Sequence, residues 1–290
     1  MSSVVYEIVD VFTDRPFTGN PLAVVFGADG LSKEQMQALA REFNLSETVF
    51  VLPATEAGAT YRARIFTPNS ELPFAGHPSV GAAVTATRRG LFEPGAVVQE
   101  CGAGLLPISV DGATATLTGG NPTLGDPVDA ADLLAVVGLG ADDLDGVAPP
   151  RWAGCGLDFP YLPVRADAVA RARLDPAAAD RLGVDNVDVF AWDPATNEVH
   201  ARVFCPGMAV AEDPATGSAA LGLGVWLVAS GLLPTDGESA YLVHQGAELH
   251  RPSTLECSVT ASGGAAVRVT VTGHVMPVAH GEMAVPPFVG

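Results

Sequence analysis

Apolar and polar positions alternate along much of the chain, with enrichment in Val, Ile and Phe, and this pattern predicts short β-strands. Turns containing Pro and Gly, such as the one at residues 16–21, separate these segments. The predicted strands lie at residues 4–12, 21–26, 48–52, 60–66, 97–118, 151–164, 187–204, 242–248, 255–260 and 266–280.

A smaller set of segments has helical character. Helices are predicted at residues 33–43, 78–87, about 130–137 and 216–230. The first should begin at a capping box, in which Ser32 and Gln35 satisfy each other's backbone N–H groups. The second and fourth are built of small residues and should end at Gly90 and Gly231.

The order of these elements indicates the fold class. Each half of the chain has short strands around one small-residue helix, which is typical of an α+β fold rather than a regular βαβ alternation. Residues 119–150 are rich in Gly, Pro and Asp, so we place a lobe boundary near their start.

An internal repeat supports this two-lobe division. Arg64–Pro68 resembles Arg202–Pro206 at an offset of 138 residues, and Gly81–Ala83 resembles Gly217–Ala219 at an offset of 136. Two matches in the same order favour duplication. The second loop is then two residues shorter than the first, and His77 aligns with Asp213 at the start of a helix, in line with the second offset.

The starts of the two small-residue helices are candidate binding elements. Helices so rich in Gly and Ala, with few charges, are expected to be buried on all sides. A helix start presents unpaired N–H groups and partial positive charge. Two such starts facing one cleft are predicted to hold a substrate carboxylate.

Charge and composition exclude several functions. The formal net charge of −18 disfavours partners such as nucleic acids and anionic membrane surfaces. Lys33 is the only lysine and should lie on an exposed first helical turn, so a Schiff-base or pyridoxal phosphate mechanism has no candidate residue. No nucleotide-binding or serine-hydrolase motif is present. We therefore expect no cofactor.

The cysteines and histidines give no indication of a redox or zinc site. The four cysteines form no C-x-x-C pair and are expected to be buried small hydrophobes, and the histidines show no zinc-ligand spacing. The N-terminus lacks a secretory signal, and the longest apolar stretch, residues 219–229, is too short to span a bilayer. A cytoplasmic protein is the expectation.

Several motifs combine polar residues with the predicted helix and strand starts. They are Gly19–Val25, Leu45–Phe50, Glu71–Gly81, Glu212–Ala219, Gln245-Gly246, Arg251–Ser253 and Gly281-Glu282. Together they resemble the PhzF-like family, named for its phenazine-biosynthesis isomerase, which shares the diaminopimelate epimerase fold. The resemblance spans nearly the whole chain.

The resemblance implies two similar lobes, each a curved, mostly antiparallel sheet wrapped around a central buried helix, with the site between them. The N-terminal lobe is expected at residues 1–118, completed by the C-terminal strand at about 277–290, and the C-terminal lobe at 119–276. Family members often form dimers, so a homodimer is expected. Ala209 and His250 stand where relatives commonly have glycine, which bears on substrate identity.

The resemblance also assigns site residues. Glu47 matches the family's catalytic glutamate, His77 the histidine of its G-H-P motif, and Asp213 the aspartate of its E-D-P-A-T-G-S motif. Substrate-binding positions are expected at Asn20, Ser46, Gly76, Gly217 and Ser218. Diaminopimelate epimerases use two cysteines at the helix starts, and the loops here hold none, so a two-thiol mechanism is not expected.

General chemistry agrees with this assignment but leaves alternatives. A proton shift between carbons needs one group that accepts and returns a proton, and a half-buried carboxylate such as Glu47 suits that task. Together with the resemblance, this chemistry implies a cofactor-independent isomerase that transfers a proton on a small unsaturated or cyclic carboxylate, by double-bond shift, tautomerisation or epimerisation. Glu47 can also be a surface residue and Asp213 a simple helix N-cap. A metal-dependent lyase or hydratase and a non-catalytic binding protein remain alternative functions.

Overall fold

The chain was analysed as a computed structural model that describes residues 2–207 and 210–287. The departure from the family pattern at Ala209 and the last three residues of the predicted C-terminal strand lie outside the described residues. The chain divides into two compact units. Unit 1 comprises Met1–Thr118 and Thr272–Gly290, and unit 2 comprises Gly119–Val271.

Unit 1 is a mostly antiparallel sheet with one central helix, α2, and one shorter helix, α1. Its strands β2 and β3 and its strands β4 and β6 pair in parallel, and the other recorded pairs are antiparallel. Its elements are β1 (Ser3–Val11), β2 (Asn20–Phe26), α1 (Lys33–Phe43), β3 (Glu47–Leu52), β4 (Tyr61–Phe66), β5 (Glu71–Leu72), α2 (Gly76–Arg88), β6 (Gly95–Cys101), β7 (Gly104–Asp111) and β8 (Thr114–Thr118).

Unit 2 repeats this plan around helix α6. Its parallel pairs are β11 with β12 and β13 with β15. Its elements are β9 (Pro122–Pro127), α3 (Ala130–Val136), β10 (Arg151–Cys155), β11 (Asp158–Pro163), α4 (Ala166–Val169), α5 (Pro176–Leu182), β12 (Val187–Asp193), β13 (Glu198–Phe204), β14 (Glu212–Asp213), α6 (Gly217–Ala229), β15 (Gly237–Gln245) and β16 (Ser253–Ser262). Strand β17 (Ala265–Ala284) begins in unit 2 and pairs with β1 in unit 1.

The central helices are buried because their sequences leave no polar face. In α6, every residue from Gly217 to Val228 is buried, and in α2 every residue from Gly76 to Ala86 is buried. Small residues allow the sheet to approach closely: a Cβ at Gly222 would meet the hydroxyl of Tyr161. The predicted α+β class, with a sheet around a buried helix in each half, is confirmed.

The internal repeat is confirmed, but its alignment differs from the one predicted. Helices α2 and α6 each have 13 residues and begin 141 residues apart, at Gly76 and Gly217. His77 therefore corresponds to Ser218, not to Asp213, whose counterpart is Leu72 on the matching short strand. The second loop is longer, not shorter. Runs of Gly and Ala match one another at several registers, so the sequence comparison aligned Gly81 rather than Gly76 with Gly217.

An Arg–Glu pair recurs in both units at matching positions, and it is more deeply buried in unit 2. In unit 1, Arg64 Nε and Nη2 donate to the two carboxylate oxygens of Glu71 at 2.6 and 2.9 Å. In unit 2, Arg202 Nε and Nη2 donate to Glu212 at 2.9 and 2.8 Å. Each pair ties a long strand to the short strand that precedes the central helix.

Most predicted elements are present, and the elements that the sequence did not predict are short. The capping box of α1 is present, with Gln35 N donating to Ser32 Oγ and Ser32 N donating to Gln35 Oε1. Strand β9 and helices α4 and α5 were not predicted, because they fall in Ala-, Pro- and Asp-rich sequence without clear periodicity. The four cysteines are all buried, as expected. Within residues 2–207 and 210–287, no helix has the length and apolar character needed to cross a membrane.

The departure from the family pattern at His250 coincides with backbone strain. His250 has φ 58° and ψ 26°, a left-handed conformation that costs a residue with a Cβ about 1–2 kcal/mol. We expect His250→Gly to raise the free energy of unfolding by roughly 0.5 kcal/mol. Glycine relieves the backbone strain, and this gain exceeds the cost of about 0.5–1 kcal/mol that arises because glycine adds entropy to the unfolded chain. Urea denaturation measures this change.

The neighbouring Gly246 provides the control for this prediction. It has φ 80°, and an added Cβ would meet the carbonyl oxygens of Pro214 and Arg251. Gly246→Ala should therefore destabilise the protein under the same conditions. Equal or lower stability of His250→Gly would contradict the strain argument.

Candidate active site

Glu47 and His77 lie together in unit 1. Glu47 is the first residue of β3, and His77 is the second residue of α2. Glu47 is 9% exposed and His77 is 4% exposed, so both side chains are largely removed from solvent. The His77 Nε2 atom lies 3.5 Å from Glu47 Oε2, which is longer than a normal N–H···O hydrogen bond. The two side chains are therefore in contact but are not locked together by a normal hydrogen bond.

Asn20 fixes the orientation of the His77 ring. The Asn20 side-chain nitrogen lies 3.3 Å from His77 Nδ1, and an amide nitrogen can only donate, so Nδ1 accepts and Nε2 carries the proton. Ser46 Oγ in turn donates to Asn20 Oδ1 at 3.2 Å. Asn20 is fully buried, so it and Ser46 form a connected polar chain behind the imidazole. The structure thus brings together four of the predicted site residues.

Burial keeps His77 neutral. Desolvation lowers the pKa of His77 to about 3, far below the usual 6.5. A neutral imidazole with a proton on Nε2 donates a hydrogen bond without adding positive charge. Towards Glu47 or a substrate oxygen, His77 is therefore a hydrogen-bond donor rather than a cation.

This state of His77 can be measured directly. We expect ¹⁵N NMR to show an Nε2–H tautomer that stays neutral from pH 8 to about pH 4, while exposed His274 serves as the reference. Because the folded pKa is depressed, the stability linked to His77 is complete above pH 6.5 and is lost as the pH falls toward 3, at up to about 1.4 kcal/mol per pH unit.

Asn20→Ala tests the cause of this tautomer preference. Without the amide donor, the Nδ1–H tautomer should become populated while the ring stays buried. Protonation of wild-type His77 near pH 6.5, or an unchanged tautomer in Asn20→Ala, would contradict the arrangement.

The starts of the two central helices lack the side-chain caps that α1, α3 and α5 have, and the short helix α4 is also uncapped. Ser32, Asp129 and Asp175 cap helices α1, α3 and α5 through their side chains. Helices α2 and α6, which begin at Gly76 and Gly217, have no side-chain cap. Uncapped first-turn N–H groups suit an anionic ligand, and binding of a carboxylate there stays a prediction.

In unit 2, Asp213 is held by a different network. Its Oδ2 accepts a hydrogen bond from Thr216 Oγ1 at 2.7 Å, and its backbone oxygen accepts one from Gln245 Nε2 at 2.7 Å. Gln245 Oε1 also accepts from the Thr216 N–H. The N-cap of α6 is Thr216, so the simple reading of Asp213 as the N-cap is wrong. Gln245 was visible only as part of a weak motif, and its role depends on tertiary contacts.

Gly217 and Ser218 open α6 and are buried, with Ser218 7% exposed. Ser218 takes the place that His77 has in unit 1. Among the described residues, no group of three His, Cys, Asp or Glu side chains is arranged to hold a metal ion.

Comparison with known proteins places this site in a family. The family model described as phenazine biosynthesis-like protein matches residues 9–281. The chain belongs to this family. An uncharacterized isomerase of Mesorhizobium japonicum is 37% identical over 298 residues, which cover 96% of this chain and 98% of the relative.

Other members of the phenazine biosynthesis-like family are similar over their full length. The trans-2,3-dihydro-3-hydroxyanthranilate isomerase of Pseudomonas aeruginosa is 32% identical over 285 residues, covering 96% of this chain and 98% of the relative. The PhzF-family protein of Bacillus anthracis superimposes with a TM-score of 0.87 at 27% identity, covering 98% and 100% of the two chains. The chain is an isomerase of the phenazine biosynthesis-like family with a diaminopimelate epimerase-like fold.

Proposed function

We propose that this protein is a cofactor-independent isomerase that moves a proton between carbon atoms of a small unsaturated or cyclic carboxylate, with Glu47 as the acid/base. The observation that carries the proposal is the buried Glu47–His77 pair, in which Asn20 holds the imidazole as a neutral donor. A carboxylate in this setting can take a proton and return it, and no electron acceptor is needed.

The proposed reaction has two balanced steps. The Glu47 carboxylate removes a proton from a carbon next to a conjugated double bond, so a C–H bond breaks and an O–H bond forms. The electron pair moves through the double bond towards an electron-withdrawing group. Glu47 then returns the proton to a different carbon, so the O–H bond breaks and a new C–H bond forms, which completes a double-bond shift or tautomerisation.

His77 and the helix start of α2 support the charge that develops in this step. The Nε2–H group of His77 can donate to the substrate oxygen that gains negative charge, and the uncapped N–H groups after Gly76 can bind the carboxylate. A donor that carries no positive charge leaves the basicity of Glu47 intact. The proposed contributions of Asp213, Gly217 and Ser218 to binding remain predictions from the sequence.

The P. aeruginosa relative supplies a first candidate substrate. Its name specifies trans-2,3-dihydro-3-hydroxyanthranilate, a cyclic unsaturated carboxylate, which matches the class that the site suits. We expect the protein to convert this compound, or a carboxylate of the same class, in heavy water with one deuterium entering carbon of the product. Proton NMR and mass spectrometry follow the reaction.

The same experiment separates the alternatives. A product heavier by one water would indicate a hydratase, and loss of turnover on chelation would indicate a metal-dependent lyase. Tight binding of such carboxylates with no exchange or conversion would indicate a binding protein and overturn the proposal.

A further inference from the structure

A cavity separate from Glu47 and His77 opens at the other end of unit 1. Its volume is about 400 Å³, within the range of about 300–1,000 Å³ that is typical of small-molecule sites. It lies where the parallel strands β2 and β3 end, beside the C-terminal end of α2. Glu47 and His77 lie at the starts of β3 and α2, and the length of the helix separates His77 from Arg89 by roughly 18 Å. The cavity therefore has no part in the reaction proposed above.

The walls of this cavity are largely aromatic and aliphatic. The Tyr61 ring stacks on the Phe92 ring with centroids 5.2 Å apart. Leu91 is 51% exposed, so the cavity keeps a large apolar side chain in contact with water. Such walls suit a ligand with a flat apolar body. The apolar side chains of the lining include Phe26, Val51, Leu52, Tyr61, Leu91 and Phe92.

The way α2 ends brings these side chains to the cavity. Gly90 has φ 73°, a left-handed conformation that glycine adopts readily, and the Leu91 N–H donates back to the carbonyl oxygen of Ala86 at 3.0 Å. The chain therefore turns directly after Arg89. Arg89, Leu91 and Phe92 consequently line the same cavity, although they follow one another closely in the sequence.

Arg89 supplies a cation with an open hydrogen-bonding edge to this apolar cavity. Its guanidinium lies 4.7 Å from the centroid of the Phe26 ring, a position that cation–π attraction stabilises. Its Nη1 donates to Glu7 Oε1 at 2.9 Å, whereas its Nε and Nη2 make no hydrogen bond within the described part of the chain. Arg64 and Arg202 use the same Nε and Nη2 edge to hold a carboxylate through two parallel hydrogen bonds. The open edge of Arg89 therefore suits a carboxylate.

The charges around Arg89 set the charge that a ligand can carry. Glu7 also accepts from Arg88 Nη2, so two cations share one carboxylate and leave one net positive charge, in a chain whose formal net charge is −18. Asp29 lines the same cavity but is exposed, where solvent and salt screen its charge. This balance favours a ligand with one negative charge over a polyanion.

Arg88 provides the control for a purely structural role of Arg89. A cation at the C-terminal end of a helix stabilises the helix dipole, and this role needs no ligand. Arg88 shares that role and the contact with Glu7, whereas only Arg89 of the two lines the cavity. An effect on ligand binding that is confined to Arg89 therefore reports on the cavity.

We propose that this cavity is a second ligand-binding site, which takes a monocarboxylate with a flat, apolar ring system. The carboxylate accepts hydrogen bonds from Arg89 Nε and Nη2, and the ring system packs against Leu91 and Phe92. The site is independent of the proposed isomerisation, because it uses neither Glu47 nor His77.

Two probes that share a ring system but differ in charge test the proposal. We expect isothermal titration calorimetry at neutral pH to show that the wild-type protein binds 2-naphthoate at least about 10-fold more tightly than uncharged 2-naphthol. Arg89→Met should lose this preference, whereas Arg88→Met should keep the wild-type affinity within about twofold. Asp29→Asn should bind 2-naphthoate about twofold more tightly, because a nearby negative charge is removed.

Two further variants separate the cavity from the isomerisation site. Leu91→Asp places a carboxylate on the apolar wall at an exposed position, so it should weaken binding of 2-naphthoate at least about 10-fold while the circular dichroism spectrum stays unchanged. Glu47→Gln should abolish isomerisation but bind 2-naphthoate as the wild type does. Methyl NMR should show shifts of Val51 and Leu52 on binding.

Three results would overturn the proposal. The first is equal affinity of the wild type for the two probes, including no binding of either. The second is an equal effect of Arg88→Met and Arg89→Met on the affinity for 2-naphthoate. The third is binding that shifts no methyl group of the cavity or that is lost in Glu47→Gln, since the ligand would then lie elsewhere.

Discussion

Glu47→Gln is expected to lower kcat by on the order of 10³-fold with little change in fold or stability, because an amide cannot take a proton from carbon. Gln keeps the size of the side chain and can still accept from His77, whose Nε2 lies 3.5 Å from the native carboxylate. Steady-state kinetics on trans-2,3-dihydro-3-hydroxyanthranilate, together with deuterium incorporation from heavy water, measures the effect.

The matched control is Glu42→Gln, which removes an exposed carboxylate on α1 in the same unit. Its kcat should stay within about twofold of the wild-type value, since it is a surface substitution away from the site. A Glu47→Gln protein that is folded and turns over at the wild-type rate would remove Glu47 from the mechanism.

Short-range patterns in the sequence predicted much of this site. The S-E-T and G-H-P motifs placed Glu47 at a strand start and His77 at a helix start, and the structure brings the two side chains together. The pattern of apolar residues and the residues typical of helix ends also located α1, α2 and α6 within about two residues. These features depend on residues that are near one another in the chain, so the local sequence is sufficient to predict them.

Features that depend on packing between distant segments were not predicted. Asn20 was assigned to substrate binding, which stays a prediction, and its contact with His77 across 57 residues was not predicted. The repeat was recognised with the wrong alignment, because only strand pairing shows that Asp213 matches Leu72. Asp188 lies in a strand predicted from the sequence, and only the folded structure shows that this strand buries an acid beside Tyr161.

Arg202→Met is expected to lower the free energy of unfolding by about 3–5 kcal/mol, because it leaves the Glu212 carboxylate buried without its partner. Arg202 is 4% exposed, and its Nη1 also donates to the carbonyl oxygens of Val169 and Ala172 at 3.1 and 2.8 Å. The substitution thus removes four charge-assisted hydrogen bonds at once. Urea denaturation followed by circular dichroism gives the change.

The repeat supplies the control, since Arg64→Met makes the same change in unit 1. Arg64 is more exposed, with 18% of its side chain accessible, and Lys33 Nζ lies 3.0 Å from the same Glu71 carboxylate. Glu71 therefore keeps a cation and access to water, and Arg64→Met should cost only about 1 kcal/mol. In the double variant Arg202→Met with Glu212→Gln, part of the loss should be recovered, because no unpaired charge is left behind. Equal losses in the two units would show that burial does not set the strength of these pairs.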